Sequence, residues 1–463
     1  MKRSWSPTQP GPEGLGWAVA VPVPAPRDTQ SVDSVEVEQW VAIERGEAQL
    51  TWDLWSASIE RSTALTPAGK RAVRAMVDAI AEYLGEDWLA RFLPSGARRS
   101  RAGLPLMSWH WWPTNDVPHV YARLLELGSR LRLLQGSSGM ADLRRNLRRD
   151  LGQFTHSLLQ LEVGGLAARA GWGVTFEPGV GNESSRTDLL LVKDRDAMLV
   201  EVKGFLLDQQ SSEDLTFSRR VSMALLGIES REQVTFDGEI EPGIEDDKLA
   251  AWLEELALLA ADVARSGLVI ETTPPSGGRL VIQPGYPATG AGHSTTIRHG
   301  DEWRRITTAL KAKAEQGRGD HPLWLRFDET SQFWALTVPP DYPRRLLHER
   351  LARGLSAELA GFDHVAGIVL SSAPTAGSTV GAEDTWENLD GHATSLVCTT
   401  QPPFWRESLV VAGPNNAAMR QRAEWSSWYA TEGSWLDWAL DRLGVPPLAE
   451  LVMPISPPEV DSG

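Results

Sequence analysis

The chain has 463 residues, of which 42% are hydrophobic and 23% charged, a length that more than fills one ordinary core and a composition that reads as globular. Its net charge of −16 weighs against a protein coated in nucleic acid, because phosphate contacts call for positive surface, and its one cysteine, Cys398, excludes an internal disulfide and a Cys-rich zinc site. No run reaches the roughly 18 apolar residues of a membrane span, and Pro22, Pro24 and Pro26 interrupt the apolar stretch 17–26, so a cytoplasmic protein without membrane contact is expected.

Residues 1–33 are rich in Pro, Gly and Ser and read as an arm or an edge strand. Residues 34–149 read as mainly helical. Thr66-Pro67 has the form of a helix start, with Pro at the first helical position, and Val73, Met76, Val77, Ile80 and Leu84 follow as an apolar stripe. A second helix is expected over 117–134, through Val120, Leu124, Leu127 and Leu131. Between the two, Trp109-His110-Trp111-Trp112-Pro113 reads either as a base-stacking surface or, more in keeping with how aromatics are buried, as a core or domain contact. Basic residues gather in the same region: Arg98, Arg99, Arg101, Arg123, Arg130, Arg132, Arg144, Arg145, Arg148 and Arg149. Two readings are open for them. Arg144, Arg145, Arg148 and Arg149 form a nucleic-acid approach, or the arginines are helix faces paired with the acidic residues 376–463, which hold twelve acids against four bases.

A helix is expected over 150–170, with Phe154, Leu158, Leu161 and Leu166 at helical spacing and Glu162 among them. Three short strands follow at 171–177, 187–192 and 197–204, separated by a Gly/Asn/Ser turn and by 194–196. Asp188 opens the second strand. Glu201 and Lys203 close the third, and being two apart they point to one face while Val200 and Val202 point to the other. An insertion at about 206–300 carries helices at 211–227 and 246–265 and strands at 268–271 and 279–283. A helix at 303–316 and a strand at 323–327 complete a core of 150–330. Residues 331–463 form a Trp-rich α/β extension and tail, with strands at 333–338, 365–372 and 395–400, a helix at 343–359 and a helical region at 420–443. The sequence holds no internal repeat, phosphate-binding glycine loop or HExxH zinc motif.

Asp188, then twelve residues, then Glu201-Val202-Lys203 across a hairpin resembles the PD-(D/E)xK nuclease superfamily, with Thr187 where the name motif has proline. The order helix, three strands, helix, strand resembles that superfamily's common core. The resemblance implies an α/β protein with a restriction-endonuclease-like mixed-sheet core. It implies a Mg²⁺ (or Mn²⁺) ion held by Asp188, Glu201 and the Val202 carbonyl, and Lys203 at the attacking water or scissile phosphate. Glu162 is open between an added metal ligand and a helix-surface carboxylate. Lys311, Lys313 and Gln316 on the second helix are open between facing the nucleic acid and facing solvent. The expected function is a Mg²⁺-dependent DNA endonuclease or exonuclease in defence or DNA processing. The alternative is a non-catalytic module of the same fold for nucleic-acid or protein binding and assembly, with a protein partner or a second copy meeting the insertion or the Trp-rich extension.

Overall fold

The computed structural model describes residues 19–22, 51–86, 88–89, 118–179, 186–205, 209–285, 293–297, 302–316, 320–329, 344–372, 375–376, 385–389, 393–400, 404–413, 416–431 and 434–453. Arg98, Arg99, Arg101, the Trp109–112 aromatic cluster and the strand expected at 333–338 lie outside them.

Helices α1 (Trp52–Arg61), α2 (Pro67–Leu84), α3 (Pro118–Leu134) and α4 (Met140–Leu147) come before the helix that leads into the core sheet. The start of α2 is as the sequence implies. The Thr66 hydroxyl accepts the Gly69 N–H at 3.0 Å, and Pro67 takes a position where its missing N–H costs nothing. Val73, Met76, Val77, Ile80 and Leu84 are all buried. Helix α5 (Leu151–Arg169) is capped by the Asp150 carboxylate, which accepts the Gln153 N–H at 2.9 Å. It is apolar on most sides because it lies between α3 and the sheet.

The antiparallel meander β2 (Gly173–Phe176), β3 (Leu189–Lys193) and β4 (Asp196–Phe205) follows α5. The insertion then supplies α6 (Gln209–Glu232), β5 (Val234–Ile240), α7 (Asp246–Ser266), β6 (Ile270–Thr272), β7 (Gly278–Pro284) and β8 (His293–Ile297). These strands form a sheet of their own in the order β1–β8–β5–β7–β6, with β1 (Val19–Pro22) from the N-terminal arm as the edge strand. Phe217, Val221, Phe236, Leu256, Leu280 and Ile282 belong to a separate core beneath it. The sequence reading omits β5. Gly238 breaks its pattern, and is required there because a Cβ would lie 2.0 Å from the Arg279 carbonyl oxygen.

Helix α8 (Glu302–Gln316) returns the chain to β9 (Leu323–Glu329), which pairs in parallel with β4. After α9 (Arg344–Leu359), β10 (Val365–Ser372) pairs in parallel with β9. Then β11 (Thr375–Ala376), β12 (Thr385–Leu389), β13 (Ala393–Thr400) and β14 (Phe404–Ala412) extend the sheet antiparallel. The result is one mixed sheet in the order β12–β13–β14–β10–β9–β4–β3–β2, with β11 on β14. The C-terminal extension is thus continuous with the core sheet. Helices α5 and α10 (Asn416–Ala430) cover one face, and α8 and α9 the other. Met198, Val200, Val202 and Trp324 pack toward α5 and α10, whereas Leu199, Leu323, Leu325 and Phe327 pack toward α8 and α9.

The Trp-rich segment is core rather than a docking surface where it is described: Trp425, Trp428 and Trp435 are buried. Helices α11 (Trp435–Arg442) and α12 (Leu448–Leu451) pack back on the N-terminal helices. The Thr66 N–H donates to the Leu451 carbonyl at 3.0 Å, and the Met453 N–H to that of Ala64 at 2.8 Å. Among the described residues no helix is long and apolar enough to cross a membrane.

At the centre of the sheet, a Cβ on Gly367 of β10 would lie 2.4 Å from the Trp324 ring and 2.6 Å from the Val411 carbonyl oxygen. Gly367→Ala is therefore expected to destabilise the fold by about 1–3 kcal/mol, seen as a lower urea midpoint at unchanged slope.

Candidate functional site

Asp188 sits immediately before β3. Leu189 is opposite Val200 in the β3–β4 ladder, so one step earlier Asp188 falls beside Glu201. The backbone fixes it on both sides: its carbonyl accepts the Glu177 N–H at 2.9 Å, and its carboxylate Oδ2 accepts the Val202 N–H at 2.7 Å. Oδ1 is hydrogen-bonded to His156 Nε2 at 2.8 Å and accepts from Gln160 Nε2 at 3.2 Å, both reaching over from α5. The Val202 carbonyl faces the same side as its N–H, because in a strand both groups of a residue address one neighbour.

The second carboxylate arrives from β4. Glu201 is buried, and Lys313 of α8 donates to its Oε2 at 2.6 Å and to Asp188 Oδ2 at 3.2 Å. One ammonium therefore bridges the two acids. Glu201 Oε1 is buried with no hydrogen-bond partner. Lys203 extends from the same face of β4, is exposed, and forms no ion pair among the described residues.

Two carboxylates against one ammonium leave an excess of negative charge, and the acids share it unequally. Burial, then the charge of Asp188, pushes Glu201 up to about 8, against the opposing pull of Lys313. Burial would raise Asp188 too, but the His156 hydrogen bond and charge, Lys313 and the Val202 amide outweigh it and hold Asp188 well below the usual carboxylate range. Lys313 is raised: burial acts to lower it, and the two carboxylates prevail. Desolvation, then the charges of Lys313 and Arg305, lower Lys203.

Glu162 joins a different group. Its Oε1 accepts from Arg326 Nη2 at 2.7 Å, and Arg326 also lies 3.4 Å from Asp328 and donates to the Tyr429 hydroxyl and the Phe327 carbonyl. Arg326 alternates with Leu325 and Phe327, so this fully buried set is on the α5 and α10 face, opposite Glu201 and Lys203. The expected convergence brings together Asp188, Glu201 and Lys203, with Glu162 turned to Arg326.

The arginine segment is engaged within the protein. Arg144 and Arg148 donate to the Glu82 and Tyr83 carbonyls at the C-terminus of α2, and Arg145 pairs with Asp142. Guanidinium groups satisfy the last carbonyls of a helix and complement its dipole. The acidic partner envisaged for Arg144 and Arg148 is thus a helix end. Arg149 is exposed. Lys311 is 3.7 Å from Glu358, and Gln316 is the last residue of α8, with its side chain outside the described residues.

The sequence reading missed His156 and Gln160, although two polar residues at i and i+4 in an apolar helix were a usable signal. It also missed Glu177, which burial, then Asp142 and Asp188, pushes up. Compared with protein-family models, curated proteins and solved structures, the chain matches none.

Two measurements test these assignments. Replacing Glu162 by Ala takes a carboxylate from the buried Arg326 guanidinium and should cost on the order of 3 kcal/mol on urea denaturation. The second concerns pH. The folded chain binds the Glu201 proton more tightly than the unfolded chain, whose carboxyl titrates near 4.5. The associated stability is complete below pH 4.5 and is lost as pH rises toward 8. Asp188 acts oppositely: its contribution is complete above pH 3.8 and is lost on acidification below it. In EDTA, stability should fall between pH 4.5 and 8, and Glu201→Gln should flatten that slope. An unchanged slope would place the titrating group elsewhere.

Proposed function

We propose that the chain is a metal-dependent nuclease of the PD-(D/E)xK type, hydrolysing phosphodiester bonds in DNA, in defence or DNA processing, within the cytoplasm. The observation that carries this reading is the convergence of Asp188 and Glu201 on one cation, the Lys313 ammonium, at 3.2 and 2.6 Å. The element order supports it: α5, the meander β2–β3–β4, then α8 and the parallel strand β9 follow the sequence expected of a restriction-endonuclease-like core.

The donor set suits Mg²⁺ or Mn²⁺, which take hard oxygen ligands. Asp188 Oδ2, the Val202 carbonyl and the unpartnered Glu201 Oε1 would hold the ion. Bound there, such an ion supplies an activated water and neutralises charge on the phosphate. The chain's own residues do the rest. His156 and Gln160 engage Asp188 Oδ1 and so fix the orientation of Oδ2. Glu201 would have to be deprotonated to serve as a ligand, since ligands bind deprotonated. Lys203, exposed on the same face with its affinity for a proton lowered, orients the water or contacts the scissile phosphate.

One observation favours the non-catalytic reading: Lys313 already bridges both acids, as in a structural salt-bridged hairpin. A cleavage screen over single-stranded, duplex and branched DNA and RNA separates the two. The nuclease should act with Mg²⁺ or Mn²⁺ and stop in EDTA. Asp188→Asn and Lys203→Ala should each lose at least about 100-fold in rate. Mn²⁺ should raise the melting temperature of the wild type but not of Asp188→Asn, because only the folded site binds it. No cleavage together with no metal-linked shift would favour the binding module.

A further inference from the structure

Lys313 reaches the carboxylates along a buried path. Ile306, Leu310 and Ala314 form the face of α8 that packs on the sheet. Lys313 lies at the edge of that face, so its stem is covered and only 17% of its side chain is exposed. Its ammonium contacts Oδ2 of Asp188, the oxygen that the Val202 N–H also addresses, and Oε2 of Glu201. It therefore occupies the ground between the acids on which the nuclease reading would place a divalent ion.

On that reading, we propose that Lys313 competes internally with the divalent ion, and that on yielding the carboxylates it becomes a phosphate-contacting residue. A divalent cation on Asp188 Oδ2 and Glu201 Oε1 would share Asp188 Oδ2 with the ammonium and lie on the same carboxylate of Glu201, and the two cations cannot both be held there in a covered site without strong repulsion. The ammonium that withdraws is then a covered cation separated from its counter-charges, which is costly. It is tethered on the side of the sheet where Lys203 emerges. The anion that relieves it is the phosphate group brought to the metal. Binding of metal and of phosphate is thereby coupled, and coupling of this kind is reciprocal. A lysine that only cements the fold makes no such link.

The test is calorimetric titration of the full-length, EDTA-stripped protein with Mn²⁺, alone and with a phosphorothioate-linked oligonucleotide as the phosphate probe. Lys313→Gln should bind Mn²⁺ alone roughly ten-fold tighter than the wild type, while the enhancement of Mn²⁺ affinity by the oligonucleotide, about five-fold in the wild type, should vanish. Lys313→Met, which keeps the packing of the stem, is measured beside it to guard against a folding defect and should behave alike. Lys313→Arg retains the cation and should keep the weaker wild-type affinity. If the wild type binds Mn²⁺ and Lys313→Gln and Lys313→Met bind it no tighter, the competition is refuted while the metal site stands. If neither the wild type nor the variants bind Mn²⁺, the metal-site reading falls and this inference falls with it.

Discussion

The two-residue period of β4 is the constraint on which the site depends. Leu199, Glu201 and Lys203 face α8, and Met198, Val200 and Val202 face α5 and α10. A slip of one residue would send both charged groups into the apolar layer and turn the valines toward the cleft. Two contacts prevent it. The parallel ladder sets Glu201 beside Leu325 of β9, and α5 approaches so closely at Gly204 that a Cβ there would stand 2.9 Å from Thr155 Cγ2. Asp188 inherits its place from the same register.

The alternation also explains why two glutamates expected to cooperate answer to different partners. The sheet carries a buried cation on each face. Arg326 is satisfied by Glu162, Asp328, Tyr429 and a backbone carbonyl on one side, and Lys313 by Asp188 and Glu201 on the other. Buried ion pairs contribute little net stability because desolvation offsets their attraction, but an acid removed from either set leaves a cation poorly compensated. The Arg326 set is closed around by packing helices. The Lys313 set opens toward Lys203 and retains an unpartnered carboxylate oxygen. That difference in completeness separates a structural ionic cluster from one with capacity for a ligand.

What the sequence disclosed was what local pattern encodes. The cap at Thr66, the helix carrying Phe154 and Leu161, the hairpin that brings Asp188 to Glu201 and the shared face of Lys203 follow from helical spacing, turn residues and strand parity. The partners were not legible. Nothing around residue 313 tells that its ammonium meets acids 125 and 112 positions away, and nothing around Glu162 names Arg326. These pairings are set by the order of strands in the sheet, which local periodicity does not specify. The same holds for β12 and β14, whose pairing with β13 extends the core sheet into what reads from sequence as an appendage. Arg144 and Arg148 illustrate the converse. Their charge was visible, but the receptor is a helix end, and main-chain carbonyls leave no mark in a sequence.

The junction at Thr66 bears on how the chain is made. Its hydroxyl donates to the Glu450 carbonyl at 2.8 Å, across 384 positions, and a Cβ on Gly69 would strike the Leu451 carbonyl oxygen. Helix α2 is shaped to receive a segment made 384 positions after it. At elongation rates of roughly 5–20 residues per second, that seat stands open for about twenty seconds to more than a minute. During synthesis α2 emerges with an apolar flank awaiting its cover, and the layer it belongs to closes only once Leu448–Leu451 has been made. Chaperone demand and vulnerability to proteolysis in the nascent protein should therefore centre on α2 and be relieved when Leu448–Leu451 docks on it.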